Sequence, residues 1–337
     1  MSDDAENSTK PGRFVEGGLV RLFYQIVIVV GLLFILISGY LAYEFETGSR
    51  ATDTATLVVP KGASVGMVSR LLADNNMISS RQIFALGVRL GGAQADLKAG
   101  EYTISQGATM AQILSMLQRG DTVSRRLSIP EGLSVKQIIA RLVDVPSLTG
   151  DVTLVPDEGS LLPETYYYSL KDTRQEIVDR MQASMRVSLS RLWADRQPDL
   201  PLATPQEAVI LASIVEKETS LDRERAHIAG VFINRLNRGM KLQSDPTIIY
   251  GITGGEPLGR GLRRSELRDK TPYNTYHING LPPTPISNPG LASLEAVLNP
   301  LKTEDLFFVA DGTGGHAFAA TNREHEKNVR NWRHRTK

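Results

Sequence analysis

The chain has 337 residues, a net charge of +1 and no cysteine, so it is long enough for more than one domain. The charge balance gives no global field for nucleic acid, and the absence of cysteine excludes disulfides and thiol catalysis. The five histidines (His227, His277, His316, His325 and His334) show no metal-ligand spacing, so no metal and no cofactor is expected.

Residues 1–21 read as a polar tail. Leu22 to Tyr43 carries no charged residue, and Gln25 is its only strongly polar side chain. About 20 apolar residues at ~1.5 Å each span a ~30 Å hydrocarbon core, so 22–43 is expected to be a transmembrane helix. A cleaved signal peptide would have a shorter apolar stretch and a small-residue cleavage site, whereas Glu-Phe-Glu follows Tyr43. Lys10, Arg13 and Arg21 precede the segment and only Arg50 follows closely, which puts the tail in the cytoplasm and the rest outside.

Residues 44–55, rich in Thr, Ser, Ala and acidic side chains, read as a linker. An internal repeat follows. Leu57-Val-Val-Pro-Lys-Gly-Ala-Ser matches Leu127-Ser-Ile-Pro-Glu-Gly-Leu-Ser, with a weaker copy at Tyr102-Thr-Ile-Ser-Gln-Gly-Ala-Thr. In each, a short strand ends, Gly turns the chain, and Ser64, Thr109 or Ser134 caps a helix. This pattern resembles the LysM module, which binds GlcNAc-containing glycans, and 56–120 is assigned as a small LysM-like α+β module. The bland alternative is a set of packing units with no ligand.

Leu161–Tyr168 reads as an aromatic-rich loop or strand, and Arg174–Trp193 as an amphipathic helix. A more informative helix follows. Thr204 can be its N-cap, Pro205 its first residue and Glu207 the reciprocal partner of a capping box. At ~100° per residue, Ile210, Leu211, Ile214 and Val215 share one side, and Glu218 falls in its middle. Glu216 points to the opposite side, with Gln206, Ser213 and Lys217, where it is expected to be solvated or salt-bridged. Apolar surroundings raise a carboxyl pKa, and an acid still protonated near neutral pH can protonate a leaving oxygen, as glycosidic-bond cleavage requires. An ion pair of Glu218 with Arg223 or Arg225 is the structural alternative, and the wheel does not choose between the two.

Ala226–Gly239 reads as the next helix. In Leu242-Gln-Ser-Asp-Pro-Thr, Asp245 can cap a short helix, with Pro246 at its first position and Gly251 past its end. Tyr273-Asn-Thr-Tyr276 and Gly280–Gly290 read as fairly rigid loops with hydrogen-bonding groups and flat apolar faces, which suits a sugar. Turn chemistry alone is the other account of them. Leu306–Ala310 reads as a strand that turns at Asp311–His316 into another.

Taken together, Ala212-Ser-Ile-Val-Glu-Lys-Glu, Val231-Phe-Ile-Asn-Arg-Leu, Leu242-Gln-Ser-Asp-Pro-Thr, Tyr273-Asn-Thr-Tyr, Gly280-Leu-Pro-Pro and Phe308-Val-Ala-Asp-Gly-x-Gly-Gly-His316 closely resemble the membrane-bound endolytic murein (peptidoglycan) transglycosylase family, MltG or YceG-like. The resemblance runs from the anchor to the C-terminus. It implies an α+β chain with a single N-terminal transmembrane helix, the LysM-like module and a mixed α+β catalytic domain over 121–337. It also implies one catalytic glutamate, Glu218, and cleavage of the MurNAc–GlcNAc bond with a 1,6-anhydro-MurNAc end, in the inner membrane with the catalytic domain in the periplasm. Thr219 looks like the hydroxyl residue that follows the glutamate in other lytic transglycosylases. Asn234, Gln243, Ser244, Asp245, Tyr273, Asn274 and Tyr276, all in the matched motifs, are the expected substrate-binding residues. The chain departs from the family pattern around Leu161, and no role is carried over to Glu164. The expected partners are glycan strands and the membrane, with peptidoglycan synthases as neighbours that no residue names. Two other readings remain: a glycan-binding scaffold without activity, and a hydrolase with Asp245 or Glu256 as second carboxylate.

Overall fold

A computed structural model describes residues 13–92, 97–170 and 172–335. The chain divides into two compact units, Met1–Val123 and Ser124–Lys337.

The first unit starts with α1 (Arg13–Thr47). Within it Val20–Thr47 is long and apolar enough to cross a membrane, and none of that stretch is buried in the protein. The helix extends beyond both expected limits. It begins at Arg13, within the expected cytoplasmic tail, and the polar stretch before it, residues 1–12, lies outside the described residues. At the other end Glu44–Thr47, read as linker, continues the helix. The remaining connection is also tied down, since Ala51 is buried and its carbonyl accepts from Gly107 N at 2.9 Å.

Then follow β1 (Ala55–Val59), α2 (Val65–Asp74), α3 (Arg81–Leu90), β2 (Gly100–Ile104) and α4 (Met110–Arg119). β1 and β2 pair antiparallel, Leu57 opposite Tyr102. Leu57, Val68, Leu72, Phe84, Val88, Tyr102, Ile113 and Leu117 form the core of this unit.

In the second unit, β3 (Arg125–Ser128) pairs antiparallel with β4 (Thr165–Tyr168), and α5 (Val135–Val143) lies between them in sequence. The sequence repeat is also a backbone repeat. Gly62, Gly107 and Gly132 all take left-handed φ of 72–75°, and Ser64, Thr109 and Ser134 each accept a hydrogen bond from the backbone N–H three residues on. Only glycine takes that φ without a Cβ penalty, so the turn chemistry fixes each helix start.

The rest is α6 (Arg174–Ala194), α7 (Pro205–Glu218), α8 (Asp222–Asn237), α9 (Asp245–Thr253), α10 (Arg264–Arg268), α11 (Leu291–Leu298), the antiparallel hairpin β5 (Phe307–Ala310) and β6 (His316–Ala319), and α12 (Asn322–Arg335). α7 runs through the centre, and every residue from Ala208 to Val215 is buried. This corrects the two-sided reading of the helix. Ser213, expected on a solvated side, is fully buried. Its hydroxyl donates to Ile210 O at 2.7 Å and accepts from Ile286 N at 3.0 Å. A small hydroxyl satisfied on both sides can sit in a core where a larger polar group could not. Thr204 caps α7 as expected, but the Glu207 carboxylate reaches Ala203 N instead of the cap residue's own N–H.

Candidate active site

Glu218 is the last residue of α7, where the helix leaves the core. Its Oε1 accepts from the Ser244 hydroxyl at 2.5 Å. It lines a cavity of ≈ 500 Å³ with Arg235, Gln243, Asp245, Tyr276, Phe307, Phe308 and His325. It also borders a second cavity of ≈ 550 Å³ with Glu131, Lys217, Thr219, Asp222 and Arg225. One carboxyl therefore stands between two hollows.

Burial pushes the Glu218 pKa up, and the nearby Asp245 carboxylate pushes it further. The Ser244 hydroxyl, His316 and Arg235 act in the opposite direction. The alternative ion pair with Arg223 or Arg225 does not form: Arg225 binds Asp222 and Arg223 lies near Glu224. Glu216 is half-buried at the edge of the second cavity, and hydrogen bonds rather than a salt bridge hold it. Its Oε2 accepts from Gly290 N at 3.0 Å and from the Ser293 hydroxyl at 2.8 Å, which joins α7 to α11.

Ser244, rather than Asp245, takes the N-cap position of α9, which passes Gly251 and stops at left-handed Gly254. Ser244 makes no cap bond because its hydroxyl is committed to Glu218. The buried Ser244 is fixed by its own N–H donating to Thr275 Oγ1 at 2.9 Å and by its carbonyl accepting from Thr247 Oγ1 at 2.7 Å. Gln243, at φ 51°, makes the left-handed turn just before it, and Gln243 N donates to Thr275 O. Asp245, in the first turn of α9, accepts from the Tyr276 hydroxyl at 2.8 Å. Burial and that carboxylate push the Tyr276 pKa up, so it stays a donor.

The motif residues therefore separate. Gln243, Ser244, Asp245 and Tyr276 gather at Glu218. Thr219 borders the second cavity, but its hydroxyl accepts from Leu221 N and closes the turn after α7. Asn234 donates to Thr303 O and Asp305 O and holds the approach to β5. Tyr273 packs on Tyr250 at 5.2 Å between ring centroids and bonds Thr284. Asn274, fully buried, donates to Glu266 O, Leu267 O and Asp269 O. These three shape loops away from the carboxyl. Glu256 pairs with Lys136 instead of joining the cleft.

Other residues at the site were not singled out from sequence. Arg235, buried in α8, donates to Leu306 O and Leu242 O at 2.6 and 2.8 Å, so it binds β5 and the loop before α9 to one helix. Its neighbour Asn234 was chosen from the same motif, but i and i+1 point to different sides of a helix. His316 Nδ1 meets Glu224 Oε2 at 2.8 Å. Phe307, Phe308 and His325 reach the cleft because the C-terminal hairpin and α12 fold over it. No group of three or more His, Cys, Asp or Glu suited to a metal occurs among the described residues.

A sequence profile of the YceG-like family matches residues 57–331. The endolytic murein transglycosylase of Streptococcus pneumoniae is 29% identical over 361 aligned residues, which take in 91% of this chain and 64% of that protein. The chain thus spans less than two thirds of that relative's length. The Bacillus subtilis protein of the same name is 30% identical over 305 residues, 81% of this chain and 83% of that one. A crystal structure of a YceG-like protein from Listeria monocytogenes matches with a TM-score of 0.52 and 32% identity, over 82% of this chain and 98% of that one.

Proposed function

The chain belongs to the YceG-like family, and from that premise we propose that it is an endolytic lytic transglycosylase that cuts MurNAc–GlcNAc bonds within peptidoglycan strands. The observation that carries this reading is the Glu218 carboxyl, its pKa raised by burial and Asp245, gripped by Ser244 and set between two cavities. A glycan crossing Glu218 would extend into both hollows, which suits cleavage inside a strand.

Glu218 gives its proton to the glycosidic oxygen, and the bond from that oxygen to the anomeric carbon breaks. The sugar's own C6 hydroxyl then bonds to the anomeric carbon, and its proton passes to the ionised Glu218. The product is a 1,6-anhydro-MurNAc end, and no water is consumed. Stabilising the intermediate carboxylate falls to the Ser244 hydroxyl and to the Arg235 charge, both of which favour its ionised form. Burial and Asp245 raise the acid's pKa while Ser244 and Arg235 oppose the rise, and a group that gives and retrieves one proton needs influences of both signs.

Asp245 shares the cleft, and this favours a second reading in which it activates water as the other carboxylate of a hydrolase. Digestion of purified peptidoglycan in heavy-oxygen water separates the two. Anhydro ends without label are expected, whereas labelled reducing ends would establish water as the nucleophile.

Residues 22–43 would cross the inner membrane with the N-terminus in the cytoplasm, 44–55 would connect to a LysM-like glycan-binding module over 56–120, and 121–337 would be the periplasmic catalytic domain. Supporting the module are its capped strand–turn–helix units. Anchored action would favour nascent strands beside the peptidoglycan synthases.

A further inference from the structure

α3 has two apolar faces. Phe84 and Val88 are fully buried in the core of the first unit. Ile83, Leu86, Gly87 and Leu90 instead line a groove whose other wall is α1, through Phe34, Ile37, Leu41 and Phe45. The groove holds ≈ 520 Å³, within the ~300–1,000 Å³ typical of small-molecule sites. Phe45 packs so closely on Gly87 that a Cβ there would fall on its ring. Above that contact the walls stay open, and Leu90 is 80% exposed and Leu86 38%.

The membrane decides what covers this surface. A hydrocarbon core takes about 20 helical residues, so a span entering at Leu22 leaves it near Leu41. Phe34, Ile37 and Leu41 then lie in the half of the bilayer on the module's side, and Phe45 lies at its edge. A groove with one wall made of spanning residues opens into lipid, not water. At ~1.5 Å per residue, Leu41 to Phe45 covers about 6 Å of depth, within the ~5–10 Å to which an interfacial helix buries its apolar side, while the end of the groove at Phe34 reaches on into the hydrocarbon. Exposed Arg81 and Arg89 can snorkel toward headgroups.

We propose that α3 is an interfacial helix and that the α1–α3 groove holds an acyl chain of a bilayer phospholipid, which fastens the first unit to the membrane surface. The proposal rests on the reading of α1 as a membrane span. The unit would then be seated on the bilayer, not swung from a flexible tether.

The chain has no cysteine, so single spin labels report without background. The full chain carrying Leu90→Cys or Phe34→Cys is reconstituted in phosphatidylethanolamine–phosphatidylglycerol vesicles. Collision with oxygen, which enters lipid, is compared with collision with a water-soluble nickel chelate. Both labels should show an oxygen-to-nickel ratio several-fold above that of the free label in buffer. A diazirine on a phospholipid acyl chain should crosslink within Ile83–Leu90. An aqueous label at Leu90 beside a lipid-facing label at Phe34 overturns the proposal and leaves the span standing. Aqueous labels at both positions remove the span and the proposal together. A Leu90 label shielded from both probes means that protein covers the groove, which also overturns it. Loss of the crosslink to a small mole fraction of polyprenyl phosphate would make the carrier lipid the occupant, against the phospholipid proposed.

Discussion

At the scale of single residues, the site contains one proton donor and the groups that set its affinity for the proton. Glu218→Gln keeps shape but cannot transfer a proton. Turnover should fall by ~10²–10⁴, the usual worth of acid–base catalysis, with the fold retained by circular dichroism. Glu216→Gln should cost much less, since an amide oxygen can still accept from Gly290 N and the Ser293 hydroxyl. The pH profile is a finer test. In the proposed mechanism Glu218 starts protonated, so kcat/KM should fall as pH rises through its raised pKa. Asp245→Asn removes a charge that raises this pKa, so the alkaline limb should move to lower pH. Ser244→Ala removes a bond that lowers it, so the limb should move to higher pH, with reduced turnover. Movement of both limbs in one direction would refute this account of the carboxyl. Linkage gives a stability counterpart. The folded pKa of Glu218 exceeds its unfolded value, so its contribution is present below the unfolded pKa and lost as pH rises through the folded one. Melting curves of Glu218→Gln should lack that loss.

At the scale of elements, α7 is located by polar clasps as much as by its apolar packing. Asn288, fully buried, accepts from Leu161 N at 2.9 Å and donates to Leu133 O and Glu158 Oε1 at 3.0 and 2.8 Å. Ser287 donates to Ser213 O on α7, and the Lys217 ammonium donates to Gly132 O in the turn before α5. The Gly280–Gly290 segment, which suggested a sugar platform, thus acts as a strap between α7 and the β3–α5 turn. Asn288→Ala leaves Leu161 N without its partner, while Leu133 O keeps the backbone N–H of residue 288 and Glu158 Oε1 keeps Val135 N. At ~1–3 kcal/mol for an unsatisfied buried group, a loss of that order is expected. For a unit this size that lowers Tm by about 2–12 °C, readable by calorimetry. Gly230 on α8 is a second close approach, where an added Cβ would fall on the carbonyl of Leu301. Gly230→Ala should cost ~1–3 kcal/mol through overpacking.

At the scale of the whole molecule, the proposed chemistry and the membrane-length helix belong to different units. Every residue gathered around Glu218 lies between Ser124 and Lys337. A chain starting at Gly48, just past α1, should therefore keep its turnover on purified glycan. The start matters, because Ala51 belongs to the core of the first unit. In cells the same chain should lose control of strand length, measured against the anchored form exported to equal levels. Identical length distributions would show that anchorage is not part of the function.

The sequence by itself determined whatever depends on local chemistry. A long charge-free run forms one helix, glycine and a hydroxyl residue set each repeat's turn and cap, and the end of an apolar helix carries Glu218. Those signals lie within a few residues of one another, where backbone sterics and hydrogen bonding are already decided. Surroundings were beyond its reach. The wheel gave Ser213 and Glu216 a solvated side that α11 and the 281–290 strap cover. Motif membership could not separate Ser244 and Tyr276, which reach the cleft, from Asn234 and Asn274, which hold backbone carbonyls. Nor could it bring Arg235 or His325 to Glu218 from α8 and α12. Which side of a helix is buried, and what a polar side chain bonds, depends on partners distant in sequence. Only the tertiary packing supplies those partners, and with them the burial that raises the Glu218 pKa.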